Sequence, residues 1–80
     1  MKPAIKTETK WDVFIYEYAT RKIESVAGRD LPASGSFHTV GKRIETVLGR
    51  LNDNYGVTAV PSGRFQKGDV LPRDVEEFET

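Results

Sequence analysis

The chain contains no cysteine and only one histidine, and these two shortages exclude several kinds of site. Without cysteine there is no disulfide and no thiolate metal ligand. The one histidine, His38, cannot form a histidine-rich metal site by itself, so we expect no metal and no other cofactor. A domain of 80 residues has a thin core and often compensates with disulfides, metals or oligomerisation. Oligomerisation is the device that this composition leaves open.

The sequence also lacks a long apolar run and an excess of one charge. Nothing in it predicts a signal peptide or a membrane span, which favours the cytoplasm. Twelve basic residues balance twelve acidic residues, which argues against strong non-specific binding to nucleic acid. Residues 69–80 hold five acids and one arginine. We therefore expect a flexible lead-in over residues 1–9, a single domain over 10–72 and an acidic tail over 73–80.

The clearest pattern in the chain is one amphipathic helix, predicted over residues 37–53. Its apolar residues recur every three or four positions, which is the period of a helix that buries one side. Ser36 is the predicted N-cap, and the Asn and Gly residues after position 51 should end the helix. The apolar stripe consists of Phe37, Val40, Ile44, Val47, Leu48, Leu51 and Tyr55.

Extended segments flank this helix and predict an antiparallel sheet of three to four strands. The first segment is rich in aromatic and β-branched residues, and the short connection to the second favours a hairpin. Together with the helix they predict an α+β fold, a two-layer ββαβ sandwich. The predicted strands are 10–18, 22–27 and 57–60, with a short fourth strand at 64–66 and a loop over 28–35.

Alternation divides the side chains of the first strand into two sets. One set faces the helical stripe and consists of Trp11, Val13 and Ile15. The other set is exposed if the helix covers only one side of the sheet, which is more apolar surface than a small monomer usually carries. We interpret this second set as an interface, and its members are Phe14, Tyr16 and Tyr18.

Three kinds of partner fit such an aromatic face: a second copy of the chain, another protein, or nucleic acid bases that stack on the rings. In the nucleic-acid alternative, Arg21, Lys22 and Arg64 contact the backbone, although the balanced charge argues against it. The opposing interpretation is that a terminal segment covers this face. Its apolar residues would be Phe65, Leu71 or Phe78.

Residues 61–69 combine two glycines, two cations and turn amides, a chemistry that suits a phosphate group. The segment is not a P-loop, because the Lys-Ser/Thr pair after the second glycine is missing. A plain hairpin turn is the simpler interpretation. The predicted ligand contacts are Gly63, Arg64 and Lys67, assisted by Lys42 and Arg43 from the helix of a neighbouring subunit.

Nothing in the sequence predicts an enzyme. His38 lies near Ser34, Ser36 and Asp30, but this grouping is too local for a hydrolytic site and no supporting motif accompanies it. In size and composition the chain resembles small accessory proteins of phages and mobile elements, many of which act by stoichiometric binding. The resemblance implies a non-enzymatic binding protein and homo-oligomer in the host cytoplasm. Such a protein inhibits a host protein or sequesters a phosphate-bearing signalling ligand.

Overall fold

The computed structural model describes residues 9–33, 39–75 and 77–78, and in this part of the chain it shows a small α+β fold. One helix lies on a three-stranded antiparallel sheet with the strand order β2-β1-β3. This confirms the predicted two-layer ββαβ arrangement. The elements are β1 (Lys10–Glu17), β2 (Ile23–Pro32), α1 (Val40–Leu48) and β3 (Tyr55–Pro61).

The central strand β1 packs its two sides into two separate clusters. On one side Val13 is buried against Val40 of α1 and Ala59 of β3. On the other side Phe14 is buried against Val60 and other residues outside the helix. The predicted alternation is therefore confirmed: the side chain of Val13 faces the helix, and the side chain of Phe14 faces away from it.

The helix is shorter than the predicted range of 37–53. It begins at Val40, where Thr39 is the N-cap and its hydroxyl accepts a hydrogen bond of 3.3 Å from a first-turn amide. It ends at Leu48, and Gly49 is the C-cap. Glycine is a poor helix former, and this explains an end at this position. The predicted N-cap Ser36 lies outside the described residues.

The residues after α1 form turns that lead into β3. The amide of Leu51 donates to the carbonyl of Leu48 at 3.4 Å, and the amide of Tyr55 donates to the carbonyl of Asn52 at 3.3 Å. Leu51 is therefore a half-buried turn residue, and Tyr55 begins a strand. The predicted helix was too long because the apolar spacing continues past Gly49, where the helix ends.

Strand β2 is longer than predicted, since residues 28–32 of the expected loop 28–35 belong to the strand, which ends at Pro32. The reason is the carboxylate of Asp12, which is only 1% exposed. It accepts hydrogen bonds from the amide of Asp30 at 3.0 Å and from Nη1 of Arg29 at 3.2 Å. These bonds hold the far half of β2 against β1, although the pairing contains register shifts and Asp30 has a φ of 54°.

The same carboxylate also binds the turn that follows β3. The hydroxyl of Ser62 and the amide of Gly63 each donate to Asp12 at 3.1 Å. Gly63 has a φ of 86°, a left-handed conformation that favours glycine. Donors from two distant parts of the chain thus meet at one buried charge, and they compensate for its loss of contact with water.

Residues 69–75 cross the side of the sheet opposite α1, and residues 77–78 lie along β3, where Phe78 packs against the cluster on the helix side. We call residues 69–75 and 77–78 together the C-terminal strap. At one end the amide of Leu71 donates to a carbonyl of the turn before β2 at 2.8 Å. At the other end the amide of Phe78 donates to a carbonyl of β3 at 2.9 Å. The strap therefore reaches both outer strands of the sheet.

Two expectations for the C-terminal third of the chain are wrong. Residues 64–66 do not form a strand, and the pairing near them is an isolated antiparallel bridge between Lys22 and Val70. The stretch expected to be a solvated acidic tail carries Val75 and Phe78, which pack against the two buried clusters. The many acidic residues of this stretch indicated a solvated tail, although two of its apolar side chains pack against the core.

Replacing Asp12 with alanine should lower the free energy of unfolding by about 2–4 kcal/mol, because several partly buried donors then lose their acceptor. Asp53 is exposed and provides the control, since Asp53→Ala should change the stability by less than about 0.5 kcal/mol. Urea unfolding followed by circular dichroism measures both. Equal losses would show that the Asp12 carboxylate does not hold the three segments together.

Candidate functional site

The structure divides the aromatic set that was predicted to be an exposed interface. Phe14 is fully buried, so the expectation that it contacts a partner is wrong. It is covered because Leu71 and Val75 of the C-terminal strap pack over the middle of the sheet. Tyr16 is half-buried at the edge of this cluster, whereas Tyr18 lies just beyond β1 and is 56% exposed.

Tyr16, Tyr18 and Arg21 form a surface at the end of the sheet that we call the tyrosine patch. The two rings meet edge to face, with their centroids 5.5 Å apart and their planes at 84°, a favourable geometry for aromatic pairs. The guanidinium carbon of Arg21 lies 5.5 Å from the centre of the Tyr16 ring, which is a cation–π distance. The three side chains therefore support one another.

The hairpin turn between β1 and β2 places the guanidinium of Arg21. The Arg21 amide donates to the carbonyl of Glu17 at 2.7 Å, and Arg21 adopts a φ of 61°. Its side chain reaches the C-terminal strap, where Nε donates to the carbonyl of Leu71 at 3.0 Å and Nη2 to that of Pro72 at 3.2 Å. The guanidinium is thus held between a tyrosine ring and two backbone carbonyls.

Tyr18 is exposed, and the tip of its ring rests against Gly56 of β3 while its edge meets the ring of Tyr16. A Cβ atom at Gly56 would come within 2.8 Å of the ring, so any larger residue would push the tyrosine away. The amide of Tyr18 also donates to the carbonyl of Asn54 at 3.0 Å. A ring that is already fixed loses little conformational entropy when a partner binds it.

The phenol of Tyr16 is less acidic than a free tyrosine. Burial raises its pKa above the ordinary value of 10.0, the Tyr18 phenol raises it further, Arg21 opposes the rise and Glu77 adds to it. Glu77 lies on the C-terminal strap, and its carboxylate accepts a hydrogen bond from the hydroxyl of Thr58. At neutral pH the Tyr16 phenol is therefore uncharged, with the cation of Arg21 and the anion of Glu77 nearby.

The turn at Gly63 was expected to hold a phosphate with its amides, and this expectation is wrong for Gly63. Its amide does bind an anion, but that anion is the carboxylate of Asp12 at 3.1 Å. The amide of Gln66 is likewise used, since it donates to Asp69 at 2.9 Å. The chain's own acids thus occupy these two amides.

The four cations predicted to assist at a phosphate site do not meet within one chain. Arg64 and Lys67 are exposed in the loop whose Phe65 packs on the cluster away from the helix. Lys42 and Arg43 belong to α1, which packs on the other side of the sheet. Only a contact between chains brings the two pairs together.

The sequence indicated Tyr16 and Tyr18 but not the residues that hold them. The sequence predicts Arg21 only as a contact for a nucleic acid backbone, and it predicts Gly56 only as a residue that ends a helix. A usable signal existed in the short turn after β1, because a hairpin returns Arg21 to the neighbourhood of Tyr16. The contact between the Tyr18 ring and Gly56 depends on a strand far along the chain, and no local pattern indicates this contact.

The hydrolytic grouping weighed in the sequence falls mostly outside the described residues, because His38, Ser34 and Ser36 all lie in the stretch 34–38. Among the residues that the structure describes, no three His, Asp or Glu side chains are close enough to hold a metal ion. In the same residues no helix has the length and apolar character needed to cross a membrane.

Comparisons with family models, with curated proteins and with solved structures found no match to this chain. The function is therefore inferred from the geometry of its own surfaces.

Gly56→Ala should displace Tyr18 and lower the free energy of unfolding by about 1–2 kcal/mol, because the added methyl group overlaps the ring. Gly41→Ala is the control, since a Cβ atom there meets nothing within 4 Å. It should raise the stability by up to about 1 kcal/mol, as alanine is the better helix former. Thermal unfolding and near-ultraviolet circular dichroism measure both effects. A tolerated Gly56→Ala would show that Tyr18 does not rest on the strand.

Stability should fall at alkaline pH in part because of Tyr16. Its pKa is raised in the folded chain, so the stabilisation is complete below the unfolded value of about 10 and is lost as the pH rises through the folded pKa. Tyr16→Phe removes the ionising group and should make this alkaline fall shallower. Unfolding free energies measured from about pH 8 to 11 test this, and identical slopes for both proteins would contradict it.

Proposed function

We propose that this chain is a small non-enzymatic binding protein that holds a partner protein on the tyrosine patch. The observation that carries the proposal is that Tyr18 is 56% exposed yet seated on Gly56. Folding alone gives no reason to keep an aromatic ring more than half in water with its tip against a glycine of the neighbouring strand. Recognition of another molecule does give a reason.

The chemistry of the patch matches that of protein interfaces. Replacing an interface tyrosine or arginine with alanine is among the substitutions that weaken binding most. Arg21 uses two guanidinium N–H groups on the carbonyls of Leu71 and Pro72, and a guanidinium has five. The remaining N–H groups suit a carbonyl or carboxylate oxygen on the partner, next to a ring that contributes apolar contact.

A protein partner also fits better than a phosphate-bearing ligand. The amides of Gly63 and Gln66, which would cradle a phosphate, donate instead to Asp12 and Asp69. The resemblance in size and composition to phage accessory proteins favours a host protein in the cytoplasm as the partner. Occupation of that protein's surface, rather than any chemical step, would then inhibit it.

Tyr18→Ala should weaken binding of the partner by about thirtyfold, the usual effect of truncating a residue at the centre of an interface. The partner is first isolated by purifying the tagged wild-type chain and the tagged variant from the source cells in parallel. The purified partner is then titrated with each by calorimetry. Lys10→Ala is the control, because Lys10 is exposed and lies at the end of β1 opposite the patch.

Three outcomes would contradict the proposal. Equal affinity of wild type and Tyr18→Ala for the purified partner would show that the patch is not the contact surface. A small molecule seen in native mass spectrometry, with binding lost in Arg64→Ala but kept in Tyr18→Ala, would instead support a phosphate-bearing ligand. Tight binding of oligonucleotides by the wild-type chain would support the nucleic-acid alternative.

A further inference from the structure

One flank of α1, which we call the outer face of α1, combines a gap with an exposed apolar side chain. A Cβ atom at Gly41 would meet nothing within 4 Å. Leu48 follows about two helical turns later on the same side, and it is 54% exposed. Among the described residues, a groove of about 480 Å³ is lined by Thr39, Gly41, Lys42, Ile44, Glu45 and Leu48.

Neither Gly41 nor Leu48 is explained by the fold of one chain. Glycine weakens a helix relative to alanine, and there is ample room at position 41 for a larger residue. Leu48 leaves more than half of its surface in water instead of joining the cluster around Val40. Where two helices pack closely, a glycine on one helix permits close approach, and a leucine on the other helix fills the gap beside it.

The charges on this face are complementary to those of a second copy. Within one chain, Nζ of Lys42 lies 3.8 Å from Oε1 of Glu45 on the next turn. The two side chains are 66% and 78% exposed. If a second α1 packs antiparallel across a two-fold axis, each lysine comes within one helical turn of the other chain's glutamate. The same arrangement brings each Leu48 to the other chain's Gly41. One symmetric contact therefore uses all four residues.

We propose that the outer face of α1 is a homodimer interface, in which two helices pack antiparallel and Leu48 of each chain lies over Gly41 of the other. A helix of nine residues is about 13 Å long. The contact is therefore smaller than a standard stable interface, and association should be weak and reversible, at about 100 micromolar. The tyrosine patch lies on the other layer and stays open in both chains, so the dimer would present two patches. The proposal does not depend on what the patch binds.

Reversing one charge at a time tests this arrangement. Wild type should show a monomer–dimer equilibrium in sedimentation, whereas Lys42→Glu and Glu45→Lys should each be monomeric at the same concentration because like charges then face each other. An equimolar mixture of the two variants should dimerise at about the wild-type concentration, since each mutated residue meets an opposite charge in the other chain. Circular dichroism checks that both variants are folded.

The matched control applies the same charge changes elsewhere. Lys22→Glu and Glu24→Lys lie at the start of β2, where both side chains are exposed. These variants should dimerise like the wild type, alone or mixed. If each of these two variants is also monomeric alone and their mixture dimerises, net charge rather than the outer face of α1 drives association. The proposal is then overturned.

Other results would also overturn the proposal. A wild-type chain that stays monomeric at several hundred micromolar has no such interface. A dimer that survives Leu48→Glu but is lost in Tyr18→Ala uses the tyrosine patch instead. A full chain that is monomeric but dimerises after removal of residues 1–8 would assign the groove to the chain's own first residues.

Discussion

The buried carboxylate of Asp12 is the constraint on which the arrangement of this sheet depends. A charge that is 1% exposed must be compensated by nearby donors. Here the donors come from β2 and from the turn after β3, up to 51 positions away in sequence. One side chain of the central strand thus fixes the far half of one neighbouring strand and the end of the other. A thin core gains a specific register that apolar contacts alone would not give it.

The two ends of the sheet use hydrogen-bond donors in opposite ways. At the Asp12 end, the amide of Gly63 and the hydroxyl of Ser62 both donate to the chain's own carboxylate. At the other end, Arg21 anchors the C-terminal strap through two carbonyls and still borders an exposed ring. The first end is closed and structural. The second end is where the chain keeps polar and aromatic groups available for another molecule.

The sequence predicted what is local and missed what is distant. Alternation in β1 assigned Val13 and Phe14 to opposite sides, and apolar spacing located the helix, because both patterns follow from backbone geometry. The helix ends were wrong, since Gly49 interrupts a stripe that apolar spacing continues. A terminal segment covering Phe14 was the opposing interpretation in the sequence, and Leu71 and Phe65 confirm it. The partners of Asp12 lie 17 to 51 positions away, and no local pattern indicates them. Tyr18 could be indicated as an exposed aromatic, whereas its seat on Gly56 could not.

A partner on the tyrosine patch should bind the surface as it stands, without displacing the C-terminal strap. Arg21 links the two, because the same guanidinium holds the strap and lies over Tyr16. If a partner captured this guanidinium and the strap also came away, Phe14 and Leu71, both fully buried, would be exposed. Exposure would cost about 1.5–3 kcal/mol for each side chain, whereas a new hydrogen bond contributes only about 0.5–1.5 kcal/mol. The burial term is larger, so Tyr18 and the unused N–H groups of Arg21 provide the contact while the strap remains in place.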